Sequence, residues 1–487
     1  MDPSSRTQAV DRALVACAIL IPVLYALIVN LSMLDAPPAW DSATTVSAAA
    51  LTLVDLDFDI VELARMPGML DGGPSTHATS AYTILLALLV GAFGPENGFF
   101  VGHVLSIVLV GGLTGSTYLL GRERLTVRHS ALVALVVGLI PLVVQQAADL
   151  YLDLPLAIVT TLACWAAARR RFWLTVAMAF VGVTLKTSAV FLLPLILLAR
   201  PAGRSMQRHL AYSAAGGFVA ALPFLPAFLT TERFDRAMTL DGQIQLLQSS
   251  LNLFILTVDL AAITFVFILV MYGRARSGSF DRLARIVGVL VVSFLGVHIA
   301  TVVLTGTIAV LPRYYISIIP AMLVTMLPSG QTTTAGARRR RVGLAFLMAI
   351  LIFSIVNVRG DFYPFPDHEF YVVAERSTRA QDLLAMQIEG TRRLADTGLP
   401  IFVGLPEYFR IAYPDLGYVE STPFDYISLF DGWPTVLPDE FAVLIERRYA
   451  NPLLTIEERA IAEGYQLEYQ TIQRNGYESE LIVATRP

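Results

Sequence analysis

Long apolar runs recur along this 487-residue chain, and short clusters of arginine separate them. Runs such as Ala131 to Val144 and Ala261 to Met271 are the composition of membrane spans. A hydrocarbon interior has no water to bond the backbone, so such segments must be helical. The composition agrees: 55% of residues are hydrophobic, only 15% are charged, and mean hydropathy is +0.63. A soluble domain averages about 25% charged residues, so an ordinary globular enzyme is excluded. Apolar content this high also excludes a disordered chain. The net charge of −4 gives no sign of a nucleic-acid partner. Cys17 and Cys164 both lie in apolar segments and form neither a disulfide framework nor a zinc site.

Arginines near span ends stay on the cytoplasmic side, so the clusters orient the chain. They fall at Arg6/Arg12, Arg122/Arg124/Arg128, Arg169 to Arg171, Arg200/Arg204/Arg208, Arg274/Arg276/Arg282/Arg285 and Arg338 to Arg341. Three apolar segments lie between the first two clusters: 13–34, 79–94 and 97–120. Three crossings would put the second cluster outside. Thr79 to Gly94 is shorter than the roughly 20 residues a span needs, so it is read as a re-entrant or interfacial helix on the outer side. The expected spans are then 13–34, 97–120, 129–148, 153–168, 172–186, 187–199, 210–230, 251–272, 286–310, 314–328 and 342–358. These eleven crossings place the N-terminus in the cytoplasm and the C-terminus outside, in a multi-pass protein of the plasma (inner) membrane. The first span is too long for a typical signal core and reads as a signal anchor.

The fold class expected is an all-α polytopic membrane domain over 1–358, followed by a small extracytoplasmic α/β domain over 359–487. The outer loop 35–96 carries interfacial helices, and over 35–78 Asp35, Asp41, Asp55, Asp57, Asp59, Glu62 and Asp71 face a single Arg65. The tail predicts a polar helix over 375–397 and strands at Ile401–Val403 and Phe441–Ile445. A helix follows at Thr455–Glu463, with Thr455 as its cap and Glu458 three residues on. A hairpin, 465–473 and 477–485, closes about Asn475-Gly476. No internal repeat and no glycine-rich phosphate fingerprint occurs.

Of the 35 basic residues only Lys186 is a lysine; the other 34 are arginines. Arginine-rich coding explains the 34 and sets the lysine apart. Ionisable groups at span edges are costly and point to function until a partner explains them. The outer ends supply Asp41, Asp149, Asp153, Lys186 and Arg313, with His77 before the re-entrant helix and His103 near the outer end of the second crossing. Each has a plain structural reading: Asp41 and Asp153 as helix caps, Lys186 as a snorkelling side chain, Arg313 as a span anchor, His103 and His298 as core imidazoles. Asp149 and Asp153, four apart, would share a face if that run were helical. Taken together, carboxylates and two isolated cations on one face suit transfer of a group from a lipid phosphate. Lys186 and Arg313 would neutralise the charge growing on the departing phosphate, and Asp41 would accept the proton of an attacking hydroxyl.

The order of these features resembles the polytopic GT-C glycosyltransferases, specifically the protein O-mannosyltransferase and aminoarabinose-transferase branch. Trp40-Asp41-Ser42 matches the acidic motif that opens the first outer loop, with serine at the second acid. Thr76-His77-Ala78-Thr79 matches a His-Pro-Pro-like turn in its histidine alone, and Gly102-His103 stands where an arginine motif usually begins a span. Asp149-Leu-Tyr-Leu-Asp153-Leu-Pro matches the next acidic motif. Thr184-Leu185-Lys186 matches a Leu-Thr-Lys element, and Arg313-Tyr314, with Pro320 beyond, a late Arg-Tyr element. The correspondence covers roughly residues 10–330.

The resemblance implies a polyprenyl-phosphate-linked sugar donor and an inverting transfer on the outer face to a glycan, lipid or protein acceptor. By the same analogy Asp41 is the base, and Lys186, Arg313 and Tyr314 grip the donor phosphate. His77, His103, Asp149 and Asp153 then position substrate, and a divalent metal is the one cofactor left open. The competing classes are a polytopic transporter or lipid flippase, which ordinarily shows repeats with paired broken helices, and a non-catalytic scaffold of the same fold.

Overall fold

The computed structural model describes residues 3–39, 42–66, 79–203, 205–224, 240–305, 311–328, 334–363, 377–404, 407–423, 426–428, 434–446 and 453–487. The chain is mostly helical with a small C-terminal sheet. In order the helices are α1 (Pro3–Val29), α2 (Ala48–Asp55), α3 (Ile60–Arg65), α4 (Ala81–Phe93), α5 (Pro95–Gly121), α6 (Val127–Leu139), α7 (Pro141–Gln146), α8 (Asp153–Ala168), α9 (Phe172–Leu185) and α10 (Leu193–Leu198). They continue with α11 (Met206–Ala221), α12 (Leu240–Leu256), α13 (Val258–Arg276), α14 (Arg282–Thr305), α15 (Ile319–Met326), α16 (Thr334–Val356), α17 (Ala380–Asp396), α18 (Glu407–Ala412) and α19 (Leu454–Ala462). The chain divides into two compact units.

The first unit comprises residues 1–30, 106–147 and 152–364. Among the described residues of the whole chain, four helical stretches are long and apolar enough to cross a membrane by length and composition. They are Gln8–Val29, Pro95–Gly121, Val258–Arg276 and Arg282–Thr301. Large apolar side chains stand open on them, including Ile28, Phe265 and Val292. Such a surface is stable in lipid and not in water, and the chain is an integral membrane protein. Several expected spans are broken. The run 129–148 parts at Ile140, whose extended ψ of 130° is what a following proline imposes. The run 251–272 parts at Thr257, between α12 and α13.

Close packing in this unit uses glycine where backbones meet. A Cβ on Gly138 would fall 2.5 Å from Thr114 Cγ2 and 2.6 Å from Pro22 Cβ, so α6 fits between α1 and α5 only with hydrogen there. At one end of the unit Arg282 donates to the carbonyls of Ala167 and Ala168 at the end of α8 and of Leu198 at the end of α10. One guanidinium thus satisfies the open ends of two helices.

The second unit comprises residues 31–105, 148–151 and 365–487. The expected outer helix 79–94 is α4, 13 residues long, capped by Ser80, whose Oγ accepts from Thr83 N at 3.1 Å. At about 1.5 Å per residue it is too short to span. The strands are β1 (Ile401–Val403), β2 (Tyr426–Ser428), β3 (Glu440–Ile445), β4 (Gln466–Arg474) and β5 (Tyr477–Thr485), in the sheet order β2-β1-β3-β5-β4. β1 runs parallel to β2 and β3, and the last three strands pair antiparallel. Alternation along β1 and β3 feeds two cores. Ile401, Val403 and Leu444 pack under Leu383, Met386 and Leu394 of α17, while Phe402, Phe441 and Val443 pack with Ile456 and Ala460 of α19.

The hairpin turns on Asn475 and Gly476, both at positive φ, the geometry expected of an Asn-Gly turn. Thr455 is not the cap of α19. The helix starts at Leu454, after Leu453, and no side chain caps it, because Thr455 already lies inside the first turn. The short strand β2 has no counterpart among the sequence expectations.

Candidate active site

The first unit gathers Asp153, Lys186, Arg313 and Tyr314. Asp153 is the first residue of α8 and does not act as its cap; Leu152 stands at the cap position and no side chain fills that role. The carboxylate instead meets two cations: Lys186 Nζ at 2.9 Å from Oδ1 and Arg313 Nε at 3.3 Å from Oδ2. All three side chains are buried, with 1% of Asp153, 6% of Lys186 and 4% of Arg313 exposed. The snorkelling reading of Lys186 fails here, because a snorkelling ammonium ends in water and this one ends on a carboxylate.

Local sequence fixes each position. Lys186 is a single extended residue, φ −150° and ψ 126°, between α9 and a 3₁₀ turn at Thr187–Leu192. That reversal brings the turn against α9 so closely that a Cβ on Gly182 would meet Leu192 Cδ1 at 2.7 Å and Ala189 Cβ at 3.4 Å. Arg313 and Tyr314 sit in a second 3₁₀ turn, Pro312–Ser317, which packs against α7 and α8. Two interrupted helical segments therefore deliver the two cations to the start of a third.

Tyr314 floors the cluster. Its ring lies 3.8 Å beneath Lys186 Nζ and 5.5 Å from Arg313 Cζ, both within cation–π range. His298 of α14 stands next to it, ring centroids 5.4 Å apart, and is itself packed on Phe294 at 4.1 Å. The His298 Nδ1 lies 2.8 Å from Phe294 O, an oxygen that only accepts, so Nδ1 carries a proton. His298 is buried, as the core reading expects, but its neighbours are the residues of this cluster. The signal available in the sequence was an imidazole in the middle of an apolar run, a costly place for an ionisable group. Gln145 and Gln146, both buried in α7, also escaped notice.

The other residues singled out in the sequence lie elsewhere or are not described. Asp41 and His77 lie outside the described residues. Directly after Asp41, Ser42–Ser47 forms a π-helical turn with all six residues buried, and Ser42 Oγ donates to Ala39 O at 2.6 Å. Asp149 and His103 belong to the second unit. Asp149 is half-buried in a bend, so the helical face it would share with Asp153 does not form. His103 is buried, with Nδ1 2.8 Å from Ala148 O and Nε2 3.2 Å from Ala36 O. It ties together the segments that flank Asp41 and Asp149 in the chain. Tyr418, in the same unit, donates to Pro38 O at 2.9 Å, and burial pushes its pKa up to about 12. Among the described residues no three His, Cys, Asp or Glu side chains come together as a metal site.

Chemically, two fixed cations over an aromatic ring in a dry setting suit an anion with several acceptor oxygens. The ammonium is a compact point charge and the guanidinium a planar fork, so together they can face two oxygens of one phosphate.

No family model matches this chain, and no curated protein matches it in sequence. Among solved structures it is similar to ArnT from Cupriavidus metallidurans. The form bound to undecaprenyl phosphate is 14% identical and the match covers 96% of this chain and 97% of that one, at a TM-score of 0.47. The apo form is 15% identical over the same shares, at 0.46.

Proposed function

We propose that this chain is a membrane glycosyltransferase that moves a sugar from a polyprenyl-phosphate donor to an acceptor hydroxyl on the extracytoplasmic face. The observation that carries the reading is the meeting of Lys186 and Arg313, from distant parts of the chain, at Asp153 over Tyr314. The eleven-crossing topology, with the cytoplasmic N-terminus and the outer C-terminal domain, belongs to the same proposal, as does the plasma membrane as its site.

The step balances as a single inverting displacement. The acceptor O–H gives its proton to the Asp41 carboxylate, and its oxygen attacks the anomeric carbon. The bond from that carbon to the phosphate oxygen breaks, and polyprenyl phosphate leaves with the extra negative charge. Lys186 and Arg313 face that charge, and Tyr314 fixes the ammonium. Asp153 holds the two cations at a set spacing, which avoids reorganisation when the donor arrives. His77, His103 and Asp149 are assigned to substrate positioning.

The test is transfer by the purified protein in vesicles, with a radiolabelled polyprenyl-phosphate sugar and cell-envelope acceptors. Asp41→Asn is expected to lower turnover by about a thousandfold, the range of a lost general base. Lys186→Ala and Arg313→Ala are each expected to lower kcat/KM by about a hundredfold or more. Donor binding without cleavage in the unaltered protein, together with movement of the lipid between leaflets, would make it a flippase instead.

A further inference from the structure

The segment of the second unit that leads into the Asp41 motif cannot secure itself. Ala36 is followed by Pro37 and Pro38, whose rings hold φ near about −65° and which have no N–H to donate. Residues 37–39 form neither helix nor strand, so the carbonyls of this stretch need partners from elsewhere in the fold. Ala36 O lies 3.2 Å from His103 Nε2. Pro38 is buried, and its carbonyl accepts a 2.9 Å hydrogen bond from the Tyr418 hydroxyl, 380 residues along the chain.

Tyr418 is fully buried and is delivered by a short run of the C-terminal domain. After α18 a 3₁₀ turn, Pro414–Leu416, ends at Gly417, whose φ of +89° glycine adopts without strain. A Cβ there would touch Pro37 Cγ at 3.6 Å, so Gly417 and Tyr418 both lie against the proline pair. Arg410 Cζ stands 5.6 Å from the centre of the Tyr418 ring. Arg410 Nη1 meets Glu446 Oε1 at 3.1 Å, Gln387 Nε2 donates to Glu446 Oε2 at 3.1 Å, and all three side chains are buried. A buried ion pair adds little stability over an apolar filling of the same space. This one ties α17, α18 and the end of β3 together beside the ring that reaches the prolines. α18 also packs against the π-helical turn Ser42–Ser47. Contacts from the C-terminal domain therefore fall on both sides of Asp41 in the chain.

Packing alone would be served by a phenylalanine at 418. The hydroxyl adds a directed bond to the carbonyl that closes a stiff proline pair, and holding that oxygen sets the direction in which the chain leaves toward residue 41. We propose that Tyr418, backed by Arg410 and Glu446, is a positioning residue that aims the outer loop carrying Asp41, so that the C-terminal domain is a working part of the transferase. The inference rests on the reading of Asp41 as the base and adds the element that holds it.

The test compares two variants of the full-length protein in vesicles. Tyr418→Phe removes the bond to Pro38, and Tyr465→Phe removes a buried hydroxyl from Leu437 O and Pro438 O in the same domain. Tyr418→Phe is expected to lower kcat about tenfold with KM for the polyprenyl-phosphate sugar unchanged, the pattern of a displaced reacting group. Tyr465→Phe is expected to leave kcat as it is. In an Asp41→Asn background Tyr418→Phe should cost nothing further, because it acts through that carboxylate. Equal losses in the two tyrosine variants, or the same loss again on top of Asp41→Asn, would overturn the proposal and leave the bond as a fold contact. Hydrogen exchange gives a readout free of catalysis: the amides of 42–47 are expected to exchange faster in Tyr418→Phe and not in Tyr465→Phe, and no difference would also overturn it. Absence of transfer by the unaltered protein would defeat the transferase reading, and the exchange comparison would still decide whether Tyr418 holds the loop.

Discussion

At Asp153 a single carboxylate stands against Lys186 and Arg313 in a buried setting, and its removal would leave both cations without it. Breaking a buried pair by deleting one partner costs about 3–5 kcal/mol, so Asp153→Asn is expected to lower the apparent melting temperature by several degrees in detergent. An unchanged melt would mean that other contacts hold the cations. Tyr418 gives a pH dependence of known sign. Its folded pKa is raised to about 12 from 10.0 by burial, so above pH 10 the unfolded chain releases a proton that the folded chain keeps. Stability therefore falls by about 1.4 kcal/mol per pH unit between these values. The alkaline slope should be shallower in Tyr418→Phe, whatever that variant loses at neutral pH with its bond to Pro38; equal slopes would refute the assignment. Lys186 and Arg313 were legible in the sequence because isolated cations at span edges demand a reason. Asp153 was named with them, but its pairing with both cations was not legible, since an Asp before Leu154-Pro155 has the pattern of a cap and only tertiary packing decides otherwise.

Among the elements, the interrupted helices matter most. Lys186 is placed by a reversal that needs hydrogen at position 182, so Gly182→Val must push Leu192 and Ala189 away. Overpacking of this kind costs about 1–3 kcal/mol; the expected result is a lower melting temperature and a fall in transfer rate larger than in Gly217→Val, where nothing lies within 4 Å of the added Cβ. Equal effects of the two would remove the reversal from the account. Apolar runs told where helices lie but not where they break. The expected segments 172–186 and 187–199 meet at the observed junction, yet the 3₁₀ turns at Thr187–Leu192 and Pro312–Ser317 follow from packing that no local pattern encodes. In the tail, the Asn-Gly turn and β-branched strands were readable. β2, Tyr426–Ser428, is as short as β1 but has a single aliphatic residue and only its serine buried, whereas β1 is apolar and buried throughout, so no apolar run marked β2.

For the molecule as a whole, the arginine clusters and the acidic outer loop predict sidedness. A reporter placed after residue 128 should be protected from an impermeant reagent in intact cells, and one at the C-terminus should react; the opposite pattern would mean that the segment around α4 crosses the bilayer. The arrangement of Lys186 has a practical consequence at this scale. Every other cationic side chain is a guanidinium, so the folded protein owns one ε-amine, seated on a carboxylate and a phenol ring. Reductive methylation with isotopic formaldehyde would tag that nitrogen and the N-terminal amine and no others. The chain thus comes with its own spectroscopic beacon, and the speed at which its amine accepts the tag reports how often the cluster opens.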